Sequence, residues 1–186
     1  MTALRFDDTR DEATRRRLLW AMPAGIYVLG SAGSATGPFN LMTHSLAVQV
    51  AVDPCVLAVS IERVARTHGL VESSGAASLC VLRRDQRALV RRFVKPVDDV
   101  VVDDGGAPVS MAGVEVAVAP SGAPYLVDAA GCMDLGVIDR VDFTSHTLFC
   151  CEVRAVAVAP AVLEGTASAR IAEILRMEDT KMNYGG

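Results

Sequence analysis

Aromatic residues are scarce in this chain of 186, at 5% of positions with a single Trp, so close packing has to come from smaller side chains. No excess of positive charge is present. Lys and Arg number 18 against 22 acidic residues, a net charge of −4, whereas nucleic-acid-binding domains are usually strongly basic. No apolar run reaches the roughly 18 residues that span a bilayer. The start is polar through Arg17, so no secretory leader is expected and the chain reads as cytoplasmic. The basic run Arg15-Arg16-Arg17 fits a solvated helix face. The five cysteines, Cys55, Cys80, Cys132, Cys150 and Cys151, lack CxxC spacing, and no His or carboxylate stands at ligand spacing to them. Buried free thiols are expected and no metal site is. No GxGxxG follows a strand, which argues against a dinucleotide fold of the doubly wound kind.

What is abundant is Ala and Val, and they fall in short runs. Thr9-Arg10-Asp11-Glu12 reads as a capping box opening a helix (about 9–22), with Leu18, Leu19 and Met22 on its inner edge and Pro23 ending it. Strands are expected over Ala24–Gly30, Asn40–Val52, Cys55–Ile61, Ser78–Leu82, Met111–Ala119, Ala130–Val141 and Leu148–Val158. A Gly/Ser/Ala turn occupies Ser31–Pro38. Val97–Ser110 is expected as a loop, with or without a short helix, and Pro120–Pro124 as a turn joining two strands. Short helices are expected at Thr67–Gly75, with Thr67 as N-cap and Gly75 past the end, and after Asp85, with Ala88, Leu89 and Phe93 inward. A C-terminal helix over Ala167–Met177, with Ile171, Ile174 and Leu175 inward, precedes a tail (together about 167–186). With no repeat and no linker, the chain is read as one domain, 1–186. Six or seven short strands with peripheral helices predict a mainly β, Greek-key-like, closed or nearly closed barrel.

The segment Asn40–Pro54 is the most informative. At period two, Thr43, Ser45, Ala47, Gln49 and Ala51 share one face and are small or neutral-polar, while Leu46, Val48 and Val50 share the other and read as core. A strand without large side chains on one face lets a flat molecule approach its backbone. Downstream, Arg66 offers a guanidinium fork, and Thr67 a hydroxyl at a short helix's N-terminus, a pairing suited to phosphate. The bland alternatives are a surface charge for Arg66 and a simple N-cap for Thr67. His68 lies near the phosphate pair or merely opens the helix. His44 falls on the Leu46/Val48 face, which suits a satisfied core or interface histidine.

These residues resemble a known family. Thr43-His44-Ser45-Leu46-Ala47-Val48-Gln49-Val50-Ala51-Val52-Asp53-Pro54-Cys55 is similar to the first signature of the flavin reductase-like proteins, which have the FMN-binding split-barrel fold. Ala65-Arg66-Thr67-His68 through Ser74-Gly75 resembles the second. Leu79–Leu82, Gln86 and Val90–Phe93 match the strand, Gln and Leu-x-x-Phe that follow, and Ser145–Val153 resembles the C-terminal Gly-Asp-His segment. The resemblance covers about residues 15–158. Leu46, Ala47, Gln49 and Ala65 depart from the usual Ser, aromatic, Ser and Ser, and the Asn-Leu-Met-Thr lead with Gln49 is closer to the flavoredoxin-type branch.

The resemblance implies a flavin reductase that uses NADH or NADPH to reduce FMN or FAD, supplying it to a two-component monooxygenase, and a homodimer. It implies cofactor contacts from Asn40, Leu41, Met42, Thr43, Ser45, Leu46, Ala47, Gln49, Arg66, Thr67 and His68. His146 would stand on the nicotinamide side, or else be a structural turn residue. No side-chain acid or base is obligatory, because the cofactors carry the electronics. The tail ending Asn183-Tyr184-Gly185-Gly186 either reaches over a site or is an unstructured terminus. Two other readings are a tight flavin-binding electron carrier reduced by a protein partner, and a non-enzymatic split-barrel binder of haem or a metabolite, with His44 or Cys132 as candidate ligands.

Overall fold

The computed structural model describes residues 12–160, 162 and 174–180. Eleven strands form two antiparallel sheets, and short helices lie at their edges. The strands are β1 (Tyr27–Ala32), β2 (Phe39–His44), β3 (Ala47–Val52), β4 (Cys55–Glu62), β5 (Ala76–Val81), β6 (Val100–Val102), β7 (Pro108–Met111), β8 (Val114–Val118), β9 (Pro124–Leu126), β10 (Gly131–Asp142) and β11 (His146–Val158). The helices are α1 (Glu12–Trp20), α2 (Arg66–Ser74), α3 (Arg87–Val90, flanked by 3-10 turns) and α4 (Met177–Thr180).

Strand order in the larger sheet is β2-β1-β5-β10-β11-β4-β3, so two strands consecutive in sequence stand at its opposite margins. Laid flat, six strand spacings would separate them by about 29 Å. Only Ser45 and Leu46 connect them, and three Cα–Cα steps reach at most about 11 Å. The sheet must therefore curl until its margins nearly meet. No ladder joins β2 to β3, so the curl stays split along this seam. The smaller sheet, β6-β7-β8-β9, packs outside it.

Each face of the curled sheet carries a core. Inside, Leu29, Val59, Ile61, Leu79, Leu135 and Phe149 pack with Val71 of α2. Outside, Val28, Leu41, Cys80 and Cys132 pack against Val90 and Phe93 around α3 and against Met111, Val116 and Leu126 of the smaller sheet. The sheets meet closely at Gly30, where a Cβ would stand 1.8 Å from the Pro124 carbonyl oxygen, so only glycine fits. Helix α2 ends as the sequence indicates, on Gly75 in the left-handed region (φ 67°), whose N–H donates to the Val71 carbonyl.

Several expectations need correction. The strand read as continuous over Asn40–Val52 breaks at Ser45–Leu46, and the break resets which face each residue occupies. Leu41 and Thr43 face the outer core, while Met42 and Ala47 pack on the inner one. Leu46, Val48 and Val50, expected in the core, are exposed (44, 63 and 57%), because β3 is a margin and its outer side is uncovered in one chain. Leu18, Leu19 and Met22 are exposed too, and α1 buries nothing among the described residues. Its proposed capping box begins outside the described residues.

The N-cap of α2 is Ala65, placing Thr67 in the first turn. Past Asp85, Ala88 is exposed and Val90 is inward instead. The loop expected over Val97–Ser110 holds β6 and part of β7, and β9 intervenes where a turn was expected to join two strands. Most of the expected C-terminal helix lies outside the described residues. Its end is not helical: Ile174 and Arg176 bridge to Arg83 and Gly25, with Leu175 buried, and only then does α4 begin. All five cysteines are free, but Cys55 and Cys150 are only half-buried.

Candidate functional site at the split of the sheet

The seam gathers most of the residues singled out in the sequence. At its base, Asn40 projects toward α2. Its amide Nδ2 donates to Thr67 Oγ1 (2.8 Å), and its Oδ1 accepts from the Val97 backbone N–H (2.9 Å). Arg66 holds the same loop from outside, donating from Nη1 to the Val97 carbonyl (3.0 Å) and from Nη2 to Asp98 Oδ1 (2.8 Å). Asn40 and Thr67 are buried, whereas the Arg66 side chain stays 40% exposed and its Asp98 partner 82%. An ion pair this wet adds little stability and can be exchanged for another anion. Removing the Asn40 amide would strand the Val97 N–H and the Thr67 hydroxyl in the interior. Asn40→Ala should cost about 2–4 kcal/mol of stability, read as a lower urea midpoint.

His68 is anchored rather than poised. Its Nε2 donates to Thr147 Oγ1 (2.8 Å), and Thr147 in turn donates to Asp142 Oδ1 (2.8 Å). The Thr147 hydroxyl holds the Asp142 carboxyl below the usual carboxylate range. The His68 ring lies tilted against Phe149, with centroids 5.4 Å apart. Thr43 donates to the Val90 carbonyl (2.6 Å) on the outer face, beside buried Leu41. Met42 and Ala47 are half-buried on the inner face. Ser45 is buried within the connection, and Gln49, exposed, donates to the Ala51 carbonyl (3.1 Å). The Leu46 carbonyl accepts from Ser60 N–H (2.9 Å), which docks the connection onto β4.

His44, expected from sequence as a satisfied core or interface histidine and as a candidate ligand only for a non-enzymatic binder, is the most unusual group here. It is buried at the end of β2, and its Nε2 has no hydrogen-bond partner. Burial drops its pKa from 6.5 to about 4. A bond to the Leu46 backbone opposes the drop, and the nearby His146 adds to it. A neutral imidazole with one bare nitrogen therefore sits beside His146, whose Nδ1 lies 3.0 Å from Ser145 Oγ. The missed signal was parity: the break after His44 turns a strand-face residue into one at the seam.

Chemically, the seam offers strand backbone with small side chains at Ser45 and Ala47, an unsatisfied imidazole nitrogen, and the start of α2. No side chain caps α2, so its first N–H groups and the half-exposed Arg66 provide positive potential together. These features suit a planar, polar-edged ring with an anionic tail. Cavities of about 320 and 200 Å³ lie elsewhere, and neither is lined by a seam residue. Among the described residues, no group of three His, Cys, Asp or Glu could hold a metal, and no helix is long and apolar enough to cross a membrane.

A family profile, "flavin reductase like domain", matches residues 19–172. The chain belongs to that family. The family's fold agrees with solved structures. The NADH:FAD oxidoreductase of Streptomyces globisporus superimposes with a TM-score of 0.68 at 22% identity, covering 87% of this chain and 85% of that one. The styrene monooxygenase flavin reductase of Pseudomonas putida gives 0.64 at 23%, covering 78% and 87%. Among curated proteins, the stachydrine N-demethylase reductase subunit of Rhizobium meliloti is 22% identical over 141 residues, 76% of this chain and 56% of its own. The chain spans about half the length of the curated relatives it matches. The split-barrel reading of the sequence is borne out in fold and family alike.

Proposed function

We propose that this flavin reductase-like chain is an NAD(P)H:flavin oxidoreductase that reduces FMN or FAD and passes it to a two-component monooxygenase. The family match over residues 19–172 carries the reading. Two relatives point the same way by name, one an NADH:FAD oxidoreductase also solved with NAD and FAD fragments, the other a monooxygenase's flavin reductase. The flavin supplies the hydride-accepting chemistry, and the nicotinamide donates. The seam backbone from Asn40 to Gln49 would hold the ring's edges, with Leu41 and Thr43 supporting from the outer face. Arg66 and the start of α2 would hold the phosphate, with Thr67 and His68 bracing that corner from within. His146 would line the nicotinamide side. The test is oxidation of NADH and of NADPH with added FMN and with added FAD. Turnover with release of flavin supports the assignment, and no oxidation of either nucleotide at saturating flavin rejects it. A protein that purifies yellow and ignores both nucleotides would instead be an electron carrier reduced by a protein partner.

The seam has a floor but lacks an outer wall, and a second copy of the chain fits as that wall. Leu46, Val48, Val50 and Val52 are exposed on the margin, and Ile138 and Val141 are exposed on the same sheet. In the ladder, Val48 opposes Ala58, Ala58 opposes Cys150, and Leu148 opposes Val141, while Asp139 stands opposite Cys150 and Ser60 opposite Leu148, so the exposed apolar side chains are concentrated on β3 and the end of β10. An uncovered apolar margin on an unpaired strand is a surface proteins normally cover. Light scattering should give twice the 19.6 kDa chain mass. Val48→Asp should shift the protein to monomer and weaken flavin binding, whereas a monomeric wild type would sink the homodimer. The cytoplasm, where nicotinamide nucleotides are at hand, is the expected compartment.

A further inference from the structure

Away from the seam, the outer face of the large sheet carries two thiols that the flavin chemistry does not use. Cys80 of β5 and Cys132 of β10 are 52 positions apart in sequence, yet they are direct partners in the antiparallel ladder. Their neighbours two residues along, Ser78 and Asp134, are partners as well, so the four side chains form a square on one face. Directly opposed residues in such a ladder have Cα atoms about 4.5–5.5 Å apart, inside the window of about 4.4–6.8 Å that a disulfide spans. The Cys132 Sγ donates to the Met133 carbonyl at 3.7 Å. The Cys80 sulfur accepts the Leu126 backbone N–H at 3.3 Å. The neighbouring Cys132 thiol and this N–H hold Cys80 below the usual thiol range.

Both sulfurs are buried, but Cys132 forms part of the wall of the 200 Å³ cavity, with Tyr125 and Asp134 beside it. A molecule the size of hydrogen peroxide fits that cavity, whereas the two tripeptide arms of glutathione disulfide do not. The other thiols are arranged differently. In the ladders Cys150 opposes Asp139 and Ala58, and Cys151 opposes Val137 and Leu57. Cys55 opposes Val52. None of these three opposes another cysteine.

We propose that Cys80 and Cys132 form a peroxide-oxidised dithiol, a modification site that closes into a disulfide between β5 and β10. The Cys132 sulfur, the one in the cavity wall, passes its proton to the Cys80 thiolate and attacks one peroxide oxygen. The S–O bond forms as the O–O bond breaks, and the departing hydroxide takes a proton and leaves as water. The Cys80 sulfur then attacks the Cys132 sulfur and displaces the hydroxyl, which leaves as the second water with the Cys80 proton. Two thiols are oxidised and one peroxide is reduced to two waters. The bond would tie together the strands that back the outer core, where both cysteines pack. This inference does not depend on the flavin assignment.

The experiment uses the whole protein, reduced, freed of reductant and treated with one equivalent of hydrogen peroxide. Remaining thiols are then blocked, and the digest is mapped without reduction. The expected result is a linked Cys80–Cys132 peptide, an intact mass lower by about 2 Da for the two lost hydrogens, and two of the five thiols protected from blocking. The linked form should melt at a higher temperature than the reduced form. Glutathione disulfide should produce no link. A map with oxidation confined to half-buried Cys55 and Cys150, or with Cys132 carried to sulfinic acid unlinked, would overturn the proposal. So would linkage formed equally by glutathione disulfide, since that contradicts entry through the cavity. The wild-type map decides the matter alone, and Cys132→Ala serves as the control for peptide assignment.

Discussion

Arg66→Ala is expected to raise the dissociation constant for FMN by one to two orders of magnitude while leaving riboflavin nearly unaffected. The size follows from a charge-assisted contact to phosphate, about 1.5–3 kcal/mol. The contrast between the two ligands is the informative part, because Arg66 has a second job. Its guanidinium holds the Val97 carbonyl and Asp98, so its loss also loosens the loop that Asn40 pins from inside. A loosened loop weakens both ligands alike, and an absent phosphate contact weakens only FMN. Asp98→Ala separates the effects further. It removes the carboxylate that competes for Arg66, and because that pair is exposed the gain in FMN affinity should be small, within about 1 kcal/mol. Equal losses for FMN and riboflavin in Arg66→Ala, measured by fluorescence titration, would show that the phosphate lies elsewhere.

Acid should destabilise the wild type more steeply than His44→Leu. The native imidazole titrates near 4 and an unfolded one near 6.5, so above about pH 6.5 neither form is charged and the group has no effect. As pH falls below that value, the unfolded chain takes up a proton that the native state refuses. Stability drops by up to about 1.4 kcal/mol per pH unit, until the native group also protonates near pH 4. Between pH 7.5 and pH 5 the loss from this residue should approach about 2 kcal/mol. Urea midpoints of the two proteins at those pH values give the difference directly. The variant cancels the contribution of Asp128, Asp142 and Asp179, whose depressed values produce acid lability of their own at lower pH. Parallel curves would mean that the native protein accepts the proton on His44, and that the imidazole is not the dry group described here.

The two elements flanking the site were legible because their signals are local. Cys55–Ile61 is an unbroken apolar run that becomes β4, buried on both faces over most of its length. Arg66–Gly75 carries its own stop in a glycine that the backbone requires. The seam was not legible, because alternation of small and large side chains continues through Ser45–Leu46 as though the strand did. Only pairing partners reveal that His44 ends one margin of the sheet and Ala47 begins the other. Val48 and Val50 were misplaced for a different reason. An apolar period marks a face as apolar, and does not say whether the chain itself covers it. Val100–Val102 was hidden as a strand by Asp pairs on both sides, since three residues give a period of two no room to show.

Linking β2 to β3 through two residues has a mechanical consequence. Sheets open most readily by peeling from a free margin, and here both free margins lie side by side on one short span of chain. A molecule seated across that span would act as a clasp on a hoop: all seven strands lie between its two halves, so closing it braces the strand farthest around the ring as well as the pair it touches. Bound flavin would then slow amide exchange in β5 and β10, on the far side of the hoop, as well as at the point of contact.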